Sequence, residues 1–280
     1  MRSPIIDFHI HAVYYEHYNE SSLDFVQNVQ AGEDWQEFYN RFCNPEQFVK
    51  FLHASGVDYG VVLAELCPAA TGMCSNEHIL QFCAGQERLI PFASVNPYMT
   101  PNARKELKRL VDDGFRGVKL YPTYQLFYPN DSLLYPLYAQ AEALQIPVMF
   151  HTGSSVFKGS RLKYGNPLYL DDVAVDFPDL PILIVHSGRG FWYQQAFFLA
   201  RLHDNVYMEV AGLPPQKLLS YFPELDRIAD KVLFGSDWPS IKDIEKNIDV
   251  IRALPLADDA KEKILGKNAA KLLGIPNLIA

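Results

Sequence analysis

Cysteine is scarce, with four in 280 residues, and Cys43, Cys67, Cys74 and Cys83 form no CxxC pair. That spacing argues against a zinc ribbon or a thioredoxin-like motif, and four reduced, mostly buried thiols are expected. Basic residues are in deficit, 25 Lys and Arg against 33 Asp and Glu, for a formal net charge of −8. No basic stripe of the kind nucleic acid requires is present. No apolar run approaches the ~20 residues of a membrane helix. Met1 leads directly into a strand-like run without a basic or apolar leader, so a cytoplasmic protein with no signal peptide and no membrane contact is expected. No GxGxxG follows a strand-like run, which removes the dinucleotide fingerprint. There is no internal repeat, low-complexity tract or interdomain linker, and residues 1–280 read as a single domain.

What is present is a large apolar fraction, 49% of residues, ample for one big core. Eight β-prone runs punctuate the chain: Ile5–His11, Val57–Glu65, Leu89–Val95, Phe115–Tyr121, Ile146–His151, Pro181–His186, Val206–Val210 and Val232–Ser236. Helix-patterned segments separate them. This alternation predicts parallel strands with helical crossovers. Eight units in a chain close to ~250 residues predict an α/β fold, a (β/α)8 TIM barrel. A doubly wound open sheet is the rival, but polar residues close runs one, four, five, six and eight rather than clustering at one switch point. An aromatic-rich insertion, Tyr14 to Phe42, follows strand one and contains Tyr15, Tyr18, Phe25, Trp35, Phe38 and Tyr39. It has two readings, helices packed on the barrel rim or a lid that walls the site.

Ile5, Ile6, Phe8 and Ile10 make the first run a strand. Alternation along it puts Asp7, His9 and His11 on one face and the apolar side chains on the other. Such a polar face is costly to bury without partners. A divalent metal is an economical partner, because neutral imidazole is its commonest ligand. A zinc-like site then needs further histidine or carboxylate ligands from elsewhere. His151, His186 and Asp237 are available, each at the end of a later apolar run. Asp7 is expected to orient the site or its strand as an acceptor. His17, His53, His78 and His203 fall in loop or helix contexts and read as packing or surface residues.

The pattern resembles the amidohydrolase superfamily of metal-dependent TIM barrels, and within it the amidohydrolase-related branch that includes aminocarboxymuconate-semialdehyde decarboxylase. The likeness is carried by Asp7-Phe8-His9-Ile10-His11, Phe150-His151-Thr152-Gly153, Val185-His186-Ser187-Gly188 and Phe234-Gly235-Ser236-Asp237-Trp238-Pro239. The segment from Lys267 to Gly274 resembles the branch's final helix. The resemblance implies that His9, His11, His151 and Asp237 bind one divalent metal ion, Zn2+ first and Mn2+ as the alternative. It places His186 beside the metal as an acid, base or polarising group, and it implies a homodimer. Lys119 departs from the branch. It reads as the carbamylated bridge of binuclear relatives, a cation for a substrate carboxylate, or a structural residue; the last two are preferred. Lys119, Tyr121 and Arg189 are the expected substrate-binding residues. Gln125, Arg161 and Lys163 are further candidates, and Glu65 and Glu209 are expected to be buried and paired.

The main functional expectation is hydrolysis of a small, carboxylated organic substrate. Metal-activated water attacks a carbonyl, Asp237 acts as general acid/base, and His186 steadies the oxyanion. The alternative is a metal-dependent, non-oxidative decarboxylase of an aromatic or dienoic acid, with Asp237 and His186 protonating the carbon that loses carbon dioxide. A metal-holding interaction protein is a third class, and no residue favours it.

Overall fold

Parallel strands covered on both faces need nearly continuous apolar runs, and those runs form the barrel. The computed structural model describes residues 2–14 and 16–276, so Tyr15 of the aromatic insertion lies outside the described residues. In chain order the strands are β1 (Ile6–His11), β2 (Tyr59–Leu63), β3 (Glu65–Cys67), β4 (Gly72–Cys74), β5 (Leu89–Ser94), β6 (Val118–Leu120), β7 (Val148–His151), β8 (Ile182–Val185), β9 (Val206–Glu209) and β10 (Val232–Leu233). Eight of them form one sheet in the order β1-β2-β5-β6-β7-β8-β9-β10. The ends meet: Phe8 N–H donates to Phe234 O at 3.0 Å, and His11 N–H to Trp238 O at 2.8 Å. The chain is a (β/α)8 barrel, as its alternation predicts. Among the described residues no helix is long and apolar enough to cross a membrane.

Strict alternation fails along β1. Asp7 pairs with Gly60 and Ile10 with Val62, so Phe8 and His9 together oppose Val61 alone. Two residues against one make a β-bulge. Ile6 and Phe8 join the apolar barrel interior with Val61, Leu63, Phe92 and Met149, whereas Ile10 packs with the outer core shell. The extra residue brings His9 and His11 into the cavity and leaves Asp7 out of its lining. Asp7 instead accepts the backbone N–H groups of His9 (3.1 Å) and Ser236 (2.8 Å), tying β1 to the end of β10. The expectation of one shared polar face is therefore corrected, while the expected orienting role of Asp7 matches its contacts.

The run Val57–Glu65 is not one strand. β2 stops at Leu63, and β3 and β4 form a small antiparallel hairpin over the barrel mouth. Thr71 O accepts from Asn19 N (2.9 Å) and from the Ser22 hydroxyl (2.7 Å), which pins the start of the helix Glu20–Val29. The aromatic insertion divides its work. Tyr18, Phe25 and Val26 wall the cavity. The next helix, Trp35–Phe42, packs into the core, with Phe38 and Phe42 5.8 and 4.9 Å from the Trp238 ring.

The last helix also departs from its sequence pattern. Between Asp258–Glu262 and Asn268–Leu273 it widens to a π turn over Lys263–Lys267. A side chain at Gly266 would collide with the Pro4 carbonyl. That close approach, with Asn268 donating to Ala229 O and Val232 O, locks the helix under β10.

Candidate active site

Parallel strands all present the same end to one side of the barrel, so side chains at their carboxyl ends share one mouth. His9 and His11 come from β1, Lys119 from β6, His151 from the end of β7 and Glu209 from the end of β9; His186 follows β8 and Asp237 follows β10. All except Glu209 line a cavity of about 330 Å³. His9 Nε2 and His11 Nε2 are 3.1 Å apart. Asp237 Oδ1 lies 3.3 Å from the first and 3.5 Å from the second. The ring centroids of His9 and His186 are 5.0 Å apart, and those of His151 and His186 are 4.8 Å apart. Residues from four strand ends thus come together as the sequence implied.

Two of these residues are held against their backbone preference. His186 and Asp237 have φ of 60° and 67°, the left-handed region, and Ser187 follows at 48°. Each such non-glycine residue costs about 1–3 kcal/mol and persists only where its surroundings hold it. Here Ser187 donates its hydroxyl to Glu209 O (2.9 Å), Gly188 N–H reaches Thr152 Oγ1 (2.9 Å), and Asp237 N–H reaches His9 O (3.0 Å).

Burial governs the charges. It drives His9, His151 and His186 well below the ordinary histidine range, reinforced by Lys119 beside His9 and by Arg189 beside the other two. They stay neutral, the form that binds metal. For His11 burial works the same way, but hydrogen bonding to Asp237 and Glu65 outweighs it and pushes the group up to about 9. A metal at His11 therefore competes with a proton. Burial raises Glu209 to about 8, with nearby Lys119 opposing, and lowers Lys119 to about 8, with Glu209, Asp237 and Glu65 opposing.

The donor set fits a metal. His9, His11 and Asp237 place three ligand-type atoms within 4.8 Å of one another. His151 Nε2 is a buried atom with no hydrogen-bond partner. Two imidazole nitrogens facing each other at 3.1 Å beside a carboxylate form a pocket that a divalent cation satisfies. His9, His186 and Glu209 form a second close group, but Glu209 is occupied by backbone N–H groups.

The expected substrate-contact residues separate. Lys119 Nζ lies 3.4 Å from His9 Nε2. Arg189 stands nearer the mouth, Nη1 3.7 Å from Asp237 Oδ2 and Nη2 donating to Ser154 O at 3.2 Å. Tyr121 lines the cavity, but its hydroxyl is committed to Ala64 O at 2.9 Å. Gln125 accepts from Tyr121 N and braces the β6 turn, and Arg161 and Lys163 lie outside the cavity lining. Glu65 takes the Thr71 hydroxyl and lies 3.4 Å from His11 Nδ1. Sequence reasoning passed over Tyr124, whose ring is 4.5 Å from that of His151, and the cavity residues Thr71, Ser154 and Phe157. Tyr124 stands in the short helix Pro122–Gln125 and the others on connections past strand ends, where no spacing rule singles them out.

Residues 6–275 match the amidohydrolase family model. Gamma-resorcylate decarboxylase of Rhizobium sp. is 25% identical over 315 residues, covering 90% of this chain and 93% of its own. An uncharacterised TIM-barrel protein of Bordetella bronchiseptica superimposes with a TM-score of 0.79 at 25% identity, over 97% of this chain and 98% of that one. A dihydroxybenzoic acid decarboxylase of Polaromonas sp., solved with manganese and 2-nitroresorcinol, gives a TM-score of 0.73 at 19% identity over 98% and 97%. The main expectation from sequence, hydrolysis, is corrected by these relatives: curated proteins that match nine-tenths of the chain are named decarboxylases.

Proposed function

The chain belongs to the amidohydrolase family, and on that premise we propose that it is a metal-dependent, non-oxidative decarboxylase of a small aromatic or dienoic acid. The observation that carries this choice is the likeness to gamma-resorcylate decarboxylase over nine-tenths of both chains. The cavity walls support it. Tyr18, Phe25, Tyr124 and Phe157 border the cavity and offer aromatic surface to a planar substrate.

His9, His11, His151 and Asp237 would hold one divalent cation, zinc or manganese, both of which suit nitrogen and carboxylate donors. When bound, the cation supplies Lewis acidity toward the substrate's oxygens. The reaction breaks one carbon–carbon bond, releases carbon dioxide and leaves an electron pair on the ring carbon, which takes up one proton. Asp237 and His186 are the groups available to hold and deliver that proton. His186 points its Nδ1 at Ala211 O (2.8 Å), so this nitrogen carries the hydrogen and Nε2 has the free lone pair. Arg189 beside Asp237 offers a planar donor fork to an arriving carboxylate. Ser22, Phe25 and Val26 of the helix Glu20–Val29 line the same cavity.

The test is a panel of hydroxybenzoates and semialdehyde acids given to the metal-loaded protein in deuterated water. Carbon dioxide release with one solvent deuteron per product is expected, stopped by chelation and restored by metal. Folded, metal-loaded protein that releases carbon dioxide from none of the panel would sink the reading.

A further inference from the structure

Lys119 is fully enclosed and is one of the residues that line the cavity. An ammonium carries three N–H donors and no acceptor. Among the described residues its near contacts are His9 Nε2 at 3.4 Å and the face of the Tyr121 ring, 5.0 Å from the centroid, while the charges of Glu209, Asp237 and Glu65 act on it from further off. No carboxylate forms an ion pair with it among the described residues: Asp237 pairs with His9, His11 and Arg189, Glu65 with His11, and Glu209 with His9. His9 Nε2 is itself one of the atoms turned toward the metal position, so a loaded site leaves Lys119 with less still. A buried cation with unclaimed donors is strongly unfavourable unless something else meets it.

We propose that Lys119 is a substrate-recognition residue whose ammonium binds an anionic oxygen of the substrate at the inner end of the cavity. The kind of substrate rests on the decarboxylase reading; the contact itself does not. Two cations then serve one small ligand from two depths, Lys119 fully enclosed and Arg189 partly open to solvent. The oxygen is either the acid group or a ring hydroxylate, since both present the same charge and lone pairs. An acid that lacks an oxygen there leaves Lys119 buried and unpaired, and such a mismatch is rejected far more strongly than a missing methylene. Where the contacted oxygen is the ring hydroxylate, the substrate class is narrowed to rings or dienes that carry a second oxygen beside the acid group.

The experiment measures binding by calorimetry on the metal-loaded protein with three probes: benzoate, resorcinol and 2-nitroresorcinol. Wild type is compared with Lys119→Met, close in shape and without donors, and with Lys119→Gln, which keeps an amide donor. The expected result is at least about tenfold weaker binding of 2-nitroresorcinol in Lys119→Met, with partial recovery in Lys119→Gln and metal content unchanged in both. A loss confined to benzoate assigns the acid group, and a loss confined to resorcinol assigns the ring oxygen; either supports the proposal. Equal binding of all three probes to all three proteins overturns it. So does an intact wild-type mass heavier by one carbon dioxide and lost in acid, because a carboxylated lysine has no ammonium. Carbon dioxide release with probe binding indifferent to Lys119 removes this inference alone. Lys119-dependent binding without any carbon dioxide release removes the decarboxylase reading alone.

Discussion

Glu209 Oε2 lies 3.4 Å from His9 Nδ1, and both side chains are closed to solvent. The same carboxylate accepts His186 N–H at 3.3 Å and Ala211 N–H at 2.8 Å, and Ala211 O in turn receives His186 Nδ1. One side chain therefore sets the ring of His9, with Nε2 toward Asp237, and steadies the left-handed turn that carries His186.

Glu209→Gln keeps the volume and puts an amide where one of the oxygens that hold His9, His186 and Ala211 now stands. Metal affinity should fall about 10–100-fold, the usual cost of losing a partner behind a metal-binding histidine. Competition against a fluorescent chelator reads it, with far-ultraviolet circular dichroism to show that the barrel is intact. Unchanged affinity would mean that Glu209 serves folding only.

Gly235→Ala should damage the same arrangement from the other side. A side chain there would collide with Glu209 Oε1 and come within 2.8 Å of His9 Cβ. Both neighbours sit in a closed interior, where added atoms typically cost about 1–3 kcal/mol. We expect a lower melting temperature and weaker metal binding together. A variant as stable and as metal-competent as wild type would contradict the packing described.

The aromatic residues of the insertion and of the helix that follows it, Pro45–Ala54, should split by position. Phe48, fully buried, lies 5.1 Å from the Trp238 ring and 5.6 Å from Phe82. Truncating a buried phenylalanine to alanine costs about 3–5 kcal/mol, so Phe48→Ala should shift the urea midpoint strongly. Phe25 walls the cavity, packing edge-on to Phe157 at 5.4 Å, and is only half-buried. Phe25→Ala should raise KM for an aromatic acid with a smaller loss of stability.

The thiols offer a test of the core. Cys67, Cys74 and Cys83 are buried, and burial pushes all three thiols up, Cys83 to about 12 and the other two further. Thiolate is the reactive form. A disulfide reagent at mildly alkaline pH should titrate Cys43 alone in the native protein, and all four after denaturation. Rapid reaction of more than one native thiol would contradict the burial.

Much of the barrel was legible because its strands are short apolar runs that end in an unmistakable polar residue. His151 after Ile146–Phe150 and His186 after Ile182–Val185 are such cases, and both line the cavity. What was hidden depends on register and on contacts between distant segments. The bulge at Phe8 and His9 exists only in the pairing with β2, and a period of two cannot reveal it. The hairpin after Leu63 looked like continued strand because Glu65, Leu66 and Cys67 are compatible with both. Glu209 could be read as buried and paired, but two of its three partners, His9 and His186, lie on other elements.

The doubled residue in β1 also fixes what this chain can tolerate by insertion and deletion. Phe8 plugs the interior and His9 reaches the mouth from adjacent positions, so the spacing between them is not adjustable. Removing one residue there would restore regular pleating, leave composition almost untouched and turn an imidazole out among the helices. Substitution tables score such a change as minor; for this molecule it would trade a chelate for an ordinary strand.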